Sequence, residues 1–213
     1  MTGQYHQQAT GAMAYPTSGT LNRVLFKTPL IWWRMGLGPL MGRGAFIYPM
    51  LLLTTWGRKS CLPRHTLLSA TALNGTMYVG AGWGERADWV RNLQADPHVT
   101  VQLGYMRSNP PYGPVYYALA RRVTDLDEFT SLANHLLETG GDSHMLPYLQ
   151  SLGIEFNLDD LIAKRQRLYQ FALEPTDQPG PPPMEVDLKW VWAAMSASFA
   201  LGWLTGWLVK KSK

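Results

Sequence analysis

The sequence has little cysteine and little charge. Cys61 is the only cysteine among 213 residues, so the chain cannot form an internal disulfide. Charged residues make up 16% of the chain and the net charge is +4, which is too small and too scattered for a general nucleic-acid-binding surface. A hydrophobic fraction of 46% is sufficient for a buried core. We therefore expect a folded domain without a nucleic-acid partner.

Familiar catalytic motifs are missing as well. The chain contains no HExxH, no CxxC pair, no Gly-x-Ser-x-Gly and no Walker loop. Its five histidines are scattered, and we expect no metal site. Cys61 has cations nearby, but no histidine is placed to activate it, so we interpret it as a small structural residue.

The amino-terminal region differs in composition from the middle of the chain. Residues 1–20 are rich in glutamine, glycine, threonine and alanine without periodicity, which predicts a disordered lead and not a signal peptide. Residues 21–42 are apolar with three interspersed cations, and proline and glycine interrupt them. Two alternatives stay open for this segment: a helix packed on the domain, or a membrane-interface segment with Trp32 and Trp33 at the headgroup level.

The carboxy-terminal region combines a proline-rich stretch with a long uncharged run. Residues 176–188 predict a linker, because closely spaced prolines interrupt helices and strands. No residue from Trp190 to Val209 is charged, which is about the length of one bilayer crossing. We predict a transmembrane anchor and basic tail over residues 189–213, with the domain in the cytoplasm; the alternative is a buried core helix. Small residues at every fourth position from Ala194 to Gly206 suggest a homodimer.

The middle of the chain is predicted to form mostly strands. Six are expected: Pro49–Thr55, Thr66–Leu73, Thr76–Gly80, Val99–Leu103, Val115–Val123 and Leu168–Leu173. Asn74 and Gly75 predict a two-residue hairpin between the second and third strands. Helices are expected over Ala87–Gln94, after the capping pair Asp125 and Glu128, and after Asn157. This order predicts a mainly β fold of the α+β class, a small antiparallel barrel with helices outside.

The most distinctive stretch is LLLTTWGRKSCLPRHTLL, from Leu51 to Leu68. It places three cations, Arg58, Lys59 and Arg64, on one turn between two strand-like segments. Arginine can hold phosphate or carboxylate oxygens with two parallel hydrogen bonds, lysine adds a point charge, and we expect exposed backbone N–H groups from Gly57 to Ser60 to contribute. The turn is either a solvated corner or a binding site for an anion.

This stretch resembles the signature LLLTTxGRKSGxPRxxPL of the deazaflavin-dependent nitroreductase family, whose enzymes use coenzyme F420. The resemblance continues through GTMYVGAGWGERADWVRNLQADPHVTVQLG and covers residues 21–175, which we take as one domain. It implies a split β-barrel like that of FMN-binding oxidoreductases. The implied activity is hydride transfer from the reduced cofactor to an acceptor held against its ring. Because a membrane-anchored enzyme would meet lipid-soluble molecules, we expect this acceptor to be small and lipophilic, such as a quinone.

The resemblance also implies a set of site residues. Those expected to bind the cofactor are Thr55, Gly57, Arg58, Lys59, Ser60, Arg64, Ala81, Gly82, Trp89 and Asn92. The cationic residues would contact the phosphodiester and glutamyl tail, and the segment from Gly80 to Gly82 would lie along the ring. No catalytic residue is assigned; the unranked candidates for a proton donor are Tyr105, Tyr112, Tyr116 and Tyr117.

The chain departs from the family pattern at two positions. Cys61 stands where the signature has glycine, and Ser69 stands where some members place a tyrosine near the ring. We therefore transfer no substrate preference. Two other functions stay open: an FMN-dependent oxidoreductase of the same fold, and a non-catalytic, membrane-tethered module that binds a cofactor.

Overall fold

A computed structural model describes residues 28–38, 50–104, 114–139, 149–150 and 152–211, with the side chains of residue 202 and of residues 204–211 left out. The predicted lead, residues 1–20, lies outside the described residues. The helices and strands are α1 (28–38), β1 (Met50–Trp56), β2 (Pro63–Leu73), β3 (Thr76–Gly80), α2 (Asp88–Ala95), β4 (His98–Leu103), β5 (Val115–Arg122), α3 (Leu126–Glu138), α4 (Leu158–Ala163), β6 (Gln170–Pro175) and α5 (Trp190–Lys211). Short 3-10 segments at Gly84–Arg86 and Arg165–Arg167 precede α2 and follow α4.

Six antiparallel strands close into a barrel in the order β1-β2-β3-β6-β5-β4. The β2–β3 hairpin turns at Asn74 and Gly75, whose φ angles of 50° and 82° are both positive, as a tight hairpin turn of this length requires. The six predicted strands are confirmed, with their ends shifted by a few residues at most. The pairing of β3 with β6, which closes the barrel, was not predicted because it joins segments far apart in the chain.

Alternate residues of the strands form the barrel interior. Leu51, Leu53, Val99 and Val101 are fully buried there, as the period of two in a strand requires when one face is covered. Helix α2 adds further side chains to the same core, and one of them makes an edge-to-face contact with a strand residue: the rings of Trp89 and Phe171 lie 5.4 Å apart at 64°. Helix α2 therefore packs into the barrel and holds the segment before it in place.

Helices α3 and α4 cover the outer face of β3 and β6. Asp125 caps the amino-terminal end of helix α3: its carboxylate accepts the backbone N–H of Glu128 at 2.8 Å, as predicted. The Glu128 carboxylate accepts the Tyr78 hydroxyl at 3.1 Å and two guanidinium N–H groups of Arg121 at 2.9 Å. The hydrogen bonds from Arg121 hold the pKa of the Glu128 carboxyl below its usual range, and burial raises the pKa of Tyr78. These contacts fix α3 against the sheet.

The proline-rich segment lies across the outer face of β4. The Thr100 hydroxyl donates to the carbonyl of Pro181. The Gln102 side chain accepts the N–H of Met184 at 2.7 Å and donates to its carbonyl at 3.1 Å. The segment predicted as a linker is therefore hydrogen-bonded to the barrel.

Helix α1 packs on the barrel beside this segment. Trp33 is buried against Leu52 of β1, and Arg34 makes a two-point ion pair with Asp187 at 2.8 and 2.5 Å. Of the two alternatives for residues 21–42, the described part therefore follows the first, a helix packed on the domain.

Helix α5 contains the uncharged run from which a transmembrane anchor was predicted. Among the described residues, no helix has both the length and the apolar character needed to cross a bilayer. Tryptophan, serine and glycine dilute this run, and they favour membrane insertion less than leucine, isoleucine or valine. The predicted anchor and membrane-anchored location are therefore not supported. The buried-helix alternative is also wrong, because Phe199 is 80% and Trp203 is 72% exposed.

The predicted homodimer rested on a stripe of small residues along the same helix. The structure does not describe the side chains at positions 202 and 206, which complete that stripe. The homodimer stays a prediction.

Candidate functional site

The cationic turn, residues 57–64, comprises the connection between β1 and β2 and the first two residues of β2. The N–H of Gly57 donates to the carbonyl of Leu62 at 2.9 Å, and the N–H groups of Ser60 and Cys61 donate to the carbonyl of Gly57 at 3.1 and 2.8 Å. The N–H of Arg58 donates to Asn92 at 3.2 Å. The expectation that N–H groups from Gly57 to Ser60 are exposed to a ligand is therefore wrong for most of them, because the turn uses them internally.

Asn92 connects three elements at this turn. Its side chain, on α2, is only 4% exposed. The amide nitrogen donates to the Thr55 hydroxyl at 3.1 Å, and the amide oxygen accepts both the backbone N–H and one guanidinium N–H of Arg58, the latter at 3.1 Å. Asn92 and Thr55, predicted to bind the cofactor, therefore lie behind the turn and position it.

Arg58 is partly neutralised by the protein itself. Its guanidinium lies 3.0 Å from the carboxylate of Asp88 and 3.4 Å from the backbone carbonyl of the same residue. The Arg58 side chain is 24% exposed and that of Asp88 is 67% exposed. This ion pair fixes the turn to α2 and leaves part of the guanidinium facing solvent.

Lys59 and Arg64 have no carboxylate partner among the described residues. Both are exposed, and Arg64 donates to the Ser60 hydroxyl at 3.0 Å. Two uncompensated cations beside a hydroxyl can bind a phosphate or carboxylate group, because both side chains supply charge-assisted hydrogen bonds. The anion-binding capacity of the turn thus rests mainly on these three residues.

Cys61 adopts a backbone conformation that favours glycine, with φ at 50°. This region costs other residues about 1–2 kcal/mol, and the larger unfolded-state entropy of glycine offsets about 0.5–1 kcal/mol. We expect Cys61→Gly to raise the free energy of unfolding by about 1 kcal/mol, measured by urea denaturation. The matched control is Asn74→Gly, also at φ 50°, which should gain less because asparagine tolerates this conformation. A Cys61→Gly protein that is less stable than the wild type would contradict the inference that the backbone at Cys61 is strained.

The segment predicted to lie along the cofactor ring follows β3. Ala81 is buried in the barrel core, and its N–H donates to the carbonyl of Tyr169 at 2.8 Å. A Cβ placed on Gly82 would meet no atom within 4 Å, whereas a Cβ on Gly80 would lie 3.0 Å from the amide nitrogen of Gln170. Open surface is therefore found at Gly82, while Gly80 lies under the Gln170 side chain. Trp89 belongs to the barrel core and not to this surface.

A cavity of about 310 Å³ opens beside this segment, between the outer face of the barrel and helices α3 and α4. One end is lined by the exposed residues Ser69, Gly80 and Gly82. The other end is lined by buried side chains, among them Leu132 and Leu149. The spacing of apolar residues in α3 predicted that one face of this helix packs on the core. It did not predict that a cavity remains between this face and the barrel.

Of the four tyrosines named as proton-donor candidates, the two that the structure describes do not line the cavity. Tyr116 is buried in the barrel interior and Tyr117 is exposed on β5, while Tyr105 and Tyr112 lie outside the described residues. The tyrosine that does line the cavity is Tyr78. Sequence analysis did not identify Tyr78, because the sequence of a five-residue strand does not show which of its two faces a helix covers in the folded protein.

The chain matches a family model over the part that holds the cationic turn and α2. Residues 32–112 match the family described as F420H(2)-dependent quinone reductase. This match confirms the family resemblance of the signature. The protein is accordingly an oxidoreductase, and its cofactor is coenzyme F420. The matched segment contains the cationic turn, Gly82 and Asn92.

Comparison with solved structures gives distant similarities. HutZ, the heme storage protein from Vibrio cholerae, is 14% identical, with 75% of this chain and 97% of that chain covered and a TM-score of 0.39. General Stress Protein 26 from Bacillus anthracis is 12% identical, with 68% and 88% covered and a TM-score of 0.38. An F420-H2 dependent reductase is 20% identical, with 59% and 93% covered and a TM-score of 0.33. With such TM-scores we draw no conclusion from these structures. No curated protein matches the chain.

Proposed function

We propose that this oxidoreductase transfers hydride from reduced coenzyme F420 to a small lipophilic acceptor of the quinone type. The observation that carries the proposal is the presence of an uncompensated cationic turn, within the family-matched segment, and an apolar cavity against the outer face of the same barrel. The turn suits the anionic end of the cofactor, and the cavity suits an apolar acceptor. We also propose that the domain spans residues 21–175.

The chemistry of the turn fits the cofactor's anionic groups. The phosphodiester and glutamyl carboxylates need cations that are not already paired, and Lys59 and Arg64 meet this requirement. Arg58 can contribute only the part of its guanidinium that faces solvent. Gly57 allows the turn to close, since a Cβ there would lie 2.5 Å from the Ser60 hydroxyl oxygen. In this proposal Arg58, Gly57, Thr55 and Asn92 shape the turn for the two free cations.

The cofactor, when bound, supplies the hydride, and the protein supplies position and a dry environment. The open surface at Gly82 allows a planar ring to approach the backbone. Leucine and phenylalanine side chains line most of the adjoining cavity and exclude water from an acceptor held there. Holding the acceptor against the ring makes the transfer effectively unimolecular.

The test is turnover with quinones of different polarity. Purified protein with reduced coenzyme F420 should oxidise the cofactor in the presence of menadione, and much more slowly with a sulfonated, charged analogue that the apolar cavity excludes. A parallel titration should give tighter binding of F420 than of FMN. No turnover with any quinone would remove the proposed acceptor class, and preference for FMN would contradict the assigned role of the turn.

A further inference from the structure

The cavity beneath α3 has a volume of about 310 Å³ and is lined mostly by apolar side chains. The buried part of its wall is formed by α3, α4 and two residues outside the helices and strands named above: Phe129, Leu132, Ala133, Leu149, Leu161 and Leu168. Apolar cavities of this kind bind apolar ligands in preference to water. Its lining is exposed at Gly82 and buried at Leu132 and Leu149, which suits an aliphatic chain that enters from the exposed side, here called the mouth.

Four polar side chains line the cavity, and two of them, Tyr78 and Ser69, are already engaged. The Tyr78 hydroxyl donates to Glu128 at 3.1 Å. The Ser69 hydroxyl is directed at the sulfur of Met50 at 3.6 Å. Thr71 pairs with Tyr78 in the β2–β3 ladder, which places it two residues further from the mouth than Ser69. The side chain left at the mouth is Gln170.

Gln170 lies at the junction of the cavity and the open surface. It pairs with Gly80 across β3 and β6, and its amide nitrogen and oxygen lie 3.0 and 3.1 Å from the position of a Cβ on Gly80. Within the described part of the chain, this amide makes no hydrogen bond. A ligand that closes the mouth would remove the amide from water, and an unpaired amide there would cost free energy. A ligand that carries a hydrogen-bonding group at this point avoids that cost.

We infer that Gln170 is a specificity-determining residue, whose amide N–H donates to a carbonyl oxygen of the acceptor while the acceptor's aliphatic chain occupies the cavity beneath α3. The inference rests on the proposed function for the position of the ring. It names two parts of the acceptor: a carbonyl-bearing planar head between Gln170 and the cofactor ring proposed to lie at Gly82, and an apolar tail that runs towards Leu132 and Leu149.

The experiment measures quinone binding to the cofactor-free protein by isothermal titration calorimetry. The two probes are menadione, which has the head alone, and a naphthoquinone with a decyl chain. We expect the decyl compound to bind at least tenfold more tightly, since burial of each methylene is favourable. Gln170→Leu should weaken both probes by about threefold to tenfold, the effect of one neutral hydrogen bond. Gln94→Leu, on an exposed position of α2, is the matched control and should change neither.

A second variant tests the tail. Ala133→Phe places a ring in the cavity and should abolish the advantage of the decyl compound while leaving menadione binding unchanged; if this protein does not fold, Ala133→Leu replaces it. The inference is overturned if Gln170→Leu binds both probes as the wild type does, or if the decyl advantage survives the filled cavity. Titration of F420 separates the two proposals. Unchanged quinone binding by Gln170→Leu, or a decyl advantage that survives in the filled cavity, together with intact F420 binding refutes only this inference, whereas absent F420 binding by the wild-type protein refutes the proposed function.

Discussion

Replacing Lys59 and Arg64 together by alanine is expected to weaken the binding of coenzyme F420 by about a hundredfold. Each side chain supplies charge-assisted hydrogen bonds worth about 1.5–3 kcal/mol, and their exposure to solvent reduces the effect to about half of that sum. Neither cation has a carboxylate partner in the described residues, so their removal leaves no protein carboxylate unpaired; the exposed Ser60 hydroxyl loses its hydrogen bond from Arg64 but can bond to water. The affinity is measured by titrating F420 and following its absorbance.

The control for this effect is Lys189→Ala, which removes one positive charge outside the cationic turn. It should leave F420 affinity within about twofold of the wild type, because exposed charges beyond about 10 Å are screened at ordinary salt. The wild-type affinity should also fall as salt rises, and the double variant should lose this dependence. A double variant that binds F420 as tightly as the wild type would place the anionic end of the cofactor elsewhere.

Asn92→Ala is expected to destabilise the fold by about 2–3 kcal/mol and to lower F420 affinity by about tenfold. The change removes the partner of the Thr55 hydroxyl and of the Arg58 backbone N–H, and buried groups left unpaired cost about 1–3 kcal/mol each. The turn then loses its connection to α2 and no longer holds Lys59 and Arg64 in one position. Urea denaturation measures the first effect and the F420 titration measures the second.

Asn157→Ala provides the matched control for a lost asparagine hydrogen bond. Asn157 caps α4 by accepting the N–H of Asp160 at 2.9 Å, and its loss should cost about 1 kcal/mol without changing F420 affinity. If Asn92→Ala loses stability but keeps its F420 affinity under conditions where it is folded, Asn92 supports the fold alone and does not position the turn.

The cationic turn shows where sequence reasoning ended. The signature placed the three cations on one turn, because strand and turn signals are local. It could not show that Asp88 neutralises part of Arg58, or that Asn92 accepts the backbone N–H of that arginine. Both contacts depend on how α2 packs against the end of β1. The division between positioning residues and free cations is therefore a tertiary result.

The two ends of the chain show a related limit. The absence of charge from Trp190 to Val209 predicted a membrane anchor, but length without charge does not by itself make a helix sufficiently apolar. Proline spacing predicted a linker after residue 175. In the structure, however, this segment is hydrogen-bonded to the side chains of Thr100 and Gln102. Backbone groups of an extended segment can pair with any suitable side chain nearby, which composition does not reveal.

By itself, the sequence determined the six strands, the turn at Asn74 and Gly75, the helix caps at Asp125 and Asn157, and the family resemblance through the residues around Arg58. Each of these depends on neighbouring residues, whose backbone preferences act over a few positions. Only the tertiary structure decided which cations stay unpaired, that Ala81 and Trp89 face the core, and that a cavity remains between α3 and the barrel. These depend on contacts between segments far apart in the chain, because packing determines which groups meet and which space stays empty.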